Sequence, residues 1–326
     1  MTILKPRYVV ILACLALTAS AAPAGAAIGF TITDIPLPAG QGYPASVAVD
    51  TSGAVWFTEW ANGAVGRFAG GHFTKFSIPN PAQSLLGSLV NGPDGARWLV
   101  DDTKSKIYRI NSTGAITGFS IPPCTTGCAY SGGSGTGTII SGSDGALWYS
   151  RPGNATIGRL TTTGQVHEFP VPASLGGGPG PSITAGPDGA IWFAVGAGIA
   201  RMTTSGAISL PYKGPGYADV ITTGPDGNLW FTEGPSDAVG RLTPSGHATL
   251  FRVATGCSPD NIAPGDGFLW VTCYYLNLIY RISTTGAITP IRLAKTQTLA
   301  GIAQAPDGAM WFTDLPHGLL VRITGS

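Results

Sequence analysis

Chemistry near neutral pH most often begins at a histidine, and the chain of 326 residues has four: His72, His167, His247 and His317. His317 stands in the phrase LPHG, three residues after Asp314. Asp314 and His317 are the candidate acid–base groups. A second set recurs three residues after a repeated tryptophan: Glu59, Asp101, Arg151, Val195, Glu233, Cys273 and Asp314. Four carboxylates around a channel rim could bind a cation, with Glu59 and Glu233 as the metal candidates; they could equally satisfy backbone groups and one another. A third set lies about eleven residues before the same tryptophans: Ala45, Gly87, Gly137, Pro181, Asp219, Asp260 and Ala300. Asp219 and Asp260, with Tyr274 nearby, suit a shallow ligand-binding face, as Tyr43, Tyr217, Asn261 and Tyr275 also do; all are ordinary loop residues too. No serine nucleophile elbow, phosphate loop or HExxH motif is present in the sequence.

What must position these groups is a repeat. Seven of the eight tryptophans (Trp56, Trp98, Trp148, Trp192, Trp230, Trp270 and Trp311) are spaced by 42, 50, 44, 38, 40 and 41 residues. A glycine precedes each by three positions, an aspartate stands one position earlier in six copies, and an arginine between apolar neighbours follows, from Arg67 to Arg322. Within one copy, DVITTG reads as a strand, PDG as a turn, NLWFTE as a strand of alternating faces, then AVGRLT and HATLFRV as two more. Four short antiparallel strands in about forty residues, repeated, describe the blades of a propeller. The fold expected is all-β, a seven-bladed β-propeller. The seventh copy stops at Ser326 without a fourth strand, and AIGFTITDIPLP at 27–38 supplies one, so the N-terminal strand of the mature chain is expected to close the last blade and remove an open sheet edge. The tryptophan then fills the space between blades and the Asp-Gly pair makes the turn. Residues common to all copies are scaffold, and function belongs where the copies differ. On this plan His72, His167 and His247 fall on outer fourth strands, which leaves His317 as the histidine with a route to a functional face.

Composition narrows the function classes. A net charge of +1 and 11% charged residues give no electrostatic footprint for nucleic acid. Lys5 and Arg7, an apolar run and the small residues Ala24-Gly25-Ala26 predict a secretory signal peptide over residues 1–26, removed to leave one propeller domain over 27–326. The run is too short to span a bilayer comfortably, so the protein is expected to be secreted or periplasmic, not membrane-spanning, and monomeric. Export makes Cys124, Cys128, Cys257 and Cys273 disulfide partners, and pairing near neighbours is the simplest of three connectivities.

The phrases GPDGNLWFTE, AVGRLTPSG, ATIGRLTTTG and EFPVP resemble those of the streptogramin B lyase (virginiamycin B lyase) family, over essentially the whole mature chain. The resemblance implies a lyase that linearises a cyclic depsipeptide by elimination across an ester bond, with magnesium stabilising the developing charge. It also implies two catalytic histidines, whose positions fall here on Asp260 and Ala300, and a glutamate, whose position falls on Leu315 with Asp314 one residue before it. Alanine cannot be a base. The function expected is therefore an exported propeller that binds a small molecule or a cell-envelope protein without the family's chemistry. The alternative is a magnesium-dependent lyase on displaced residues, Asp314 and His317 as acid–base groups and Glu59 or Glu233 nearest the metal.

Overall fold

Alternation around each tryptophan makes the second strand of every repeat, and the turns on either side fold its neighbours against it. In a computed structural model of the chain, the residues described are 29–60, 62–82, 84–101, 103–123, 137–196, 198–214, 218–293 and 298–325. The expected signal segment, Cys124, Cys128 and Tyr217 lie outside them.

The described strands form seven four-stranded antiparallel sheets, the blades of a propeller. The outer strand of the seventh blade is β1 (Phe30–Pro36). Blade 1 follows with β2 (Pro44–Val49), β3 (Val55–Glu59), β4 (Ala64–Ala69) and β5 (His72–Ser77). Blade 2 comprises β6 (Leu86–Asn91), β7 (Arg97–Asp101), β8 (Lys106–Ile110) and β9 (Ile116–Ser120). Blade 3 comprises β10 (Ile139–Ser141), β11 (Leu147–Arg151), β12 (Thr156–Leu160) and β13 (Val166–Pro170). Blade 4 comprises β14 (Ile183–Ala185), β15 (Ile191–Val195), β16 (Gly198–Met202) and β17 (Ile208–Lys213). Blade 5 comprises β18 (Ile221–Thr223), β19 (Leu229–Glu233), β20 (Ala238–Leu242) and β21 (Ala248–Arg252). Blade 6 comprises β22 (Pro259–Gly265), β23 (Phe268–Cys273), β24 (Leu278–Ser283) and β25 (Ile288–Arg292). Blade 7 joins β26 (Leu299–Gln304), β27 (Met310–Asp314) and β28 (Leu319–Gly325) to β1, which pairs antiparallel with β28 from Phe30↔Gly325 to Pro36↔Leu319. The first strands of successive blades abut one another, which sets them around the axis.

The repeated tryptophans are the filling between blades. Trp56 packs into the cluster of Leu89, Leu99 and Tyr108 on blade 2, and Trp230 into Ile262, Val271 and Tyr280 on blade 6. In blades 2 to 5 the indole Nε1–H donates to the turn aspartate (Asp94, Asp144, Asp188 or Asp226) at 2.9–3.0 Å. The same carboxylate accepts from the repeat arginine in Arg109–Asp94 (2.5 Å), Arg159–Asp144 (2.6 Å) and Arg201–Asp188 (2.5 Å). The glycines leave room for this. A Cβ at Gly224 would lie 2.4 Å from Cδ1 of Trp230, and Gly227 turns the chain at φ +70°. Blade 1 departs from the pattern, because Ser52 stands where the other copies have aspartate. There Asp50, two residues earlier, accepts from Trp56 Nε1 at 3.0 Å. Blade 6, one residue shorter, sends Trp270 Nε1–H to the Gly265 carbonyl at 3.1 Å instead.

These turns give the fold a pH limit. Burial pushes Asp94, Asp144 and Asp188 up, but the bonds from their tryptophans, then from Arg109, Arg159 and Arg201, outweigh it and hold each carboxyl below its ordinary value. A carboxyl lowered on folding stabilises above the unfolded value of 3.8 and loses that contribution as pH falls through the folded one. Acid unfolding followed by tryptophan fluorescence is therefore expected to begin below about pH 4. Asp144→Ala is expected to cost about 1–2 kcal/mol at pH 7 and to cost progressively less towards pH 2. An acid transition centred above pH 5 would contradict this assignment.

Candidate functional site

The axis opens on one face into a cavity of about 360 Å³. Its walls come from the start of the first strand in each blade: Ala45–Val47, Gly87–Leu89, Thr138 and Ile139, Pro181 and Ser182, Asp219 and Val220, Asp260 and Asn261, and Ala300–Ile302. These include the set eleven residues before the tryptophans, with Thr138 standing beside Gly137. Two further residues reach the cavity from the ends of second strands, Trp60 and Leu315. Asp219 and Asp260 are the charged side chains among the lining residues.

A belt of polar side chains holds this mouth in shape. Ser46 Oγ accepts from the Leu89 amide of the next blade at 3.0 Å, Ser88 Oγ from Ile139 at 3.2 Å, Thr138 Oγ1 from Ile183 at 3.1 Å and Ser182 Oγ from Ile221 at 3.0 Å. In blade 5 the same position is Val220, whose side chain has no acceptor, and the corresponding Ile262 amide bonds within its own blade to Asn261 Oδ1 at 3.1 Å. Asn261 Nδ2 in turn donates to the Ala300 carbonyl on blade 7. At the seam between blades 5 and 6 that hydroxyl clasp is thus replaced, and there Asp219 and Asp260 come together.

Both carboxyls line the one cavity and both are raised. Burial, then the negative charge of Asp219, pushes Asp260 up to about 6. Burial also raises Asp219, against one hydrogen bond from the Gly234 amide to its Oδ2 at 3.2 Å. Glu233, behind them at the end of β19, is raised by burial and by Asp219, against Ser236 and Arg252.

The ring expected three residues after the tryptophans does not lie at this cavity. In a propeller the first strand faces the axis, and these residues end the second strand, where their side chains are turned to partners in or beside their own blade. Glu59 is fully buried, with Oε2 accepting from Lys75 Nζ at 2.7 Å, Asn62 Nδ2 at 3.0 Å and the Gly42 amide at 3.3 Å. Asp101 accepts from Thr103 Oγ1 at 2.7 Å, and Arg151 pairs with Glu168 at 2.6 Å. Glu59 and Glu233 stand in blades 1 and 5 and outside the lining. Asp314 is fully buried and meets His317 Nδ1 at 2.9 and 3.0 Å. The imidazole is half exposed, on the turn that also carries Leu315, and it does not line the cavity.

The magnesium that the resemblance implies finds no fitting donor set here. A hard cation takes oxygen ligands, and the positions on Ala300 and Leu315 offer no side-chain donor. Among the described residues no three His, Cys, Asp or Glu side chains are grouped to hold a metal ion. Blade 6 adds the Cys257–Cys273 disulfide, which ties the segment before Asp260 to the end of β23. Immediately after it stand Tyr274 and Tyr275, 53% and 73% exposed, with their rings edge to face at 4.8 Å. Trp60 is the site residue that periodicity misses, because it is the tryptophan out of phase with the other seven.

The pattern of the virginiamycin B lyase family matches residues 25–130 and 125–326. A streptogramin B lyase structure is similar at 25% identity, covering 91% of this chain and 98% of that one with a TM-score of 0.79. The virginiamycin B lyase of Staphylococcus aureus is similar at 27% identity, covering 91% and 99% with a TM-score of 0.79. A catalytically inactive histidine-to-alanine variant of the Staphylococcus aureus enzyme, with quinupristin, is similar at 28% identity, 91% and 99% coverage and a TM-score of 0.78. No curated protein matches the chain. Among the described residues no helix is long and apolar enough to cross a membrane.

Proposed function

The chain belongs to the virginiamycin B lyase family, and from that premise we propose that it is an exported binding propeller which keeps the family's cavity without its lyase chemistry. One observation carries this reading. The three positions that the resemblance assigns to catalysis, Asp260, Ala300 and Leu315, all line one cavity, and none of them carries the family's residue. Losing a single histidine to alanine already leaves the Staphylococcus aureus enzyme catalytically inactive; this chain has neither histidine. A scaffold of rigid blades with a variable mouth is suited to such reuse.

Export is supported by the apolar leader and by the disulfide of blade 6, a bond that persists in oxidising compartments. The ligand of a monomeric exported propeller is either a small molecule in the cavity or an envelope protein on its rim. The cavity's size and its buried carboxylates favour the small molecule.

The test is a turnover assay of the purified protein with a streptogramin B depsipeptide, with magnesium and with chelator, followed by mass spectrometry. The ring is expected to stay closed in both. A linear product of unchanged mass, made only with the metal, would overturn the reading in favour of elimination on displaced residues. His317→Ala would then abolish that product if the Asp314–His317 pair supplied the base.

A further inference from the structure

Two halves of the cavity mouth differ in chemistry, and together they describe a ligand. The position four residues after each repeat tryptophan is Trp60 in blade 1, Leu315 in blade 7 and Tyr274 in blade 6; in blades 3, 4 and 5 it is Pro152, Gly196 and Gly234. Trp60 and Leu315 line the cavity, whereas Tyr274, at the same count on blade 6, is not among its lining residues and is 53% exposed. An apolar arc thus runs over two adjoining blades, 7 and 1. Beside the arc, on blades 5 and 6, lie Asp219 and Asp260, without a basic side chain among the lining residues.

We propose that the cavity takes an organic cation with an apolar body, its ammonium between Asp219 and Asp260 and its body along Trp60 and Leu315. This rests on the binding reading above and names the class of ligand. Ammonium supplies what the seam lacks. It donates to two carboxylates that repel each other, and aromatic faces attract it electrostatically besides. The raised titration of Asp260 fits, since a bound cation relieves the repulsion that Asp219 imposes. Val220 contributes by leaving the seam without a hydroxyl that would compete for the carboxylates. An anion meets two like charges, and a neutral isostere gains only the apolar contact.

The experiment titrates the purified protein calorimetrically at pH 7.5 with 2-phenylethylammonium, 2-phenylethanol and 3-phenylpropionate. The cation is expected to bind one to one, the alcohol at least tenfold more weakly, and the acid not measurably. Asp219→Asn and Asp260→Asn, isosteric changes, are each expected to weaken the cation tenfold or more, and Trp60→Ala several-fold. Affinity is also expected to fall between pH 7.5 and 5 as Asp260 takes up a proton. Equal binding of alcohol and cation, an unchanged affinity in both asparagine variants, or no heat with the cation would each overturn the inference. Ala300→Trp separates this failure from that of the binding reading. A neutral or anionic probe that binds the native chain and is lost in Ala300→Trp would leave the cavity a binding site and remove only the cation.

Discussion

Trp230→Ala lowers the unfolding free energy by about 3–5 kcal/mol, the range for deleting a large buried aromatic side chain. The indole is fully buried and lies in one cluster with Val239 of its own blade and Ile262, Leu269 and Val271 of the next. It also stacks on Phe251 at 5.4 Å and donates to Asp226 Oδ1 at 3.0 Å. Alanine removes all three contacts at once, and the hole opens between two sheets whose backbones are fixed by their own ladders, so collapse around it is limited. It also leaves the inner oxygen of Asp226 without its indole donor. Trp230→Phe keeps most of the packing and loses the hydrogen bond, so a smaller loss is expected. Urea unfolding checks both: the midpoint falls while the slope stays unchanged. A loss under 1 kcal/mol for the alanine variant would mean that the seam between blades 5 and 6 is not held by its tryptophan.

The same tryptophan shows why so much of the fold was legible and the site less so. A residue that fills one space in every blade must recur in phase, and its aspartate, glycine and arginine recur with it for reasons of hydrogen bonding and backbone room. Periodicity therefore exposes the scaffold. Site residues differ from copy to copy, so the repeat gives only their place. For Asp219, Asp260 and Ala300 that place was enough, since a position at the head of each first strand lies at the axis. For Glu59, Asp101 and Glu233 it was not, because counting from the tryptophan gives the strand end but not the side to which the side chain turns. Lys75, on the outer strand of blade 1, draws Glu59 away from the axis. Asp50 and Trp60 escaped for the opposite reason: each does a repeat-like or site-like job from a position out of phase. Asp314 and His317 stand out in the sequence only as separate candidates, and that they pair shows only in the structure, as does the place of the neighbouring Leu315 in the cavity lining.

Asp260→Asn is expected to stabilise the protein at neutral pH, against the usual direction for a change at a buried residue. The sign follows from linkage. Burial and the charge of Asp219 raise the Asp260 carboxyl from an ordinary 3.8 to about 6. Between those values the folded state holds a proton that the unfolded chain has released, so stability falls as pH rises through this window. At about 1.4 kcal/mol per pH unit, the ionised Asp260 costs about 3 kcal/mol above pH 6, and asparagine avoids that cost without changing the shape of the side chain. The variant's thermal midpoint is thus expected to exceed the native one clearly at pH 7.5 and to converge with it near pH 4. Asp226→Asn supplies the contrast, because hydrogen bonds from Asn228 and Trp230 outweigh burial and hold that carboxyl low. It should destabilise at pH 7.5, and its effect should fade as the pH falls. If Asp260→Asn shifted the midpoint equally at pH 4 and pH 7.5, burial and the charge of Asp219 would not be raising the Asp260 carboxyl. The proposed cation would offset that cost by neutralising the Asp260 carboxylate. A cation that restores the lost stability at pH 7.5 and does nothing for Asp260→Asn would tie the two properties to one residue.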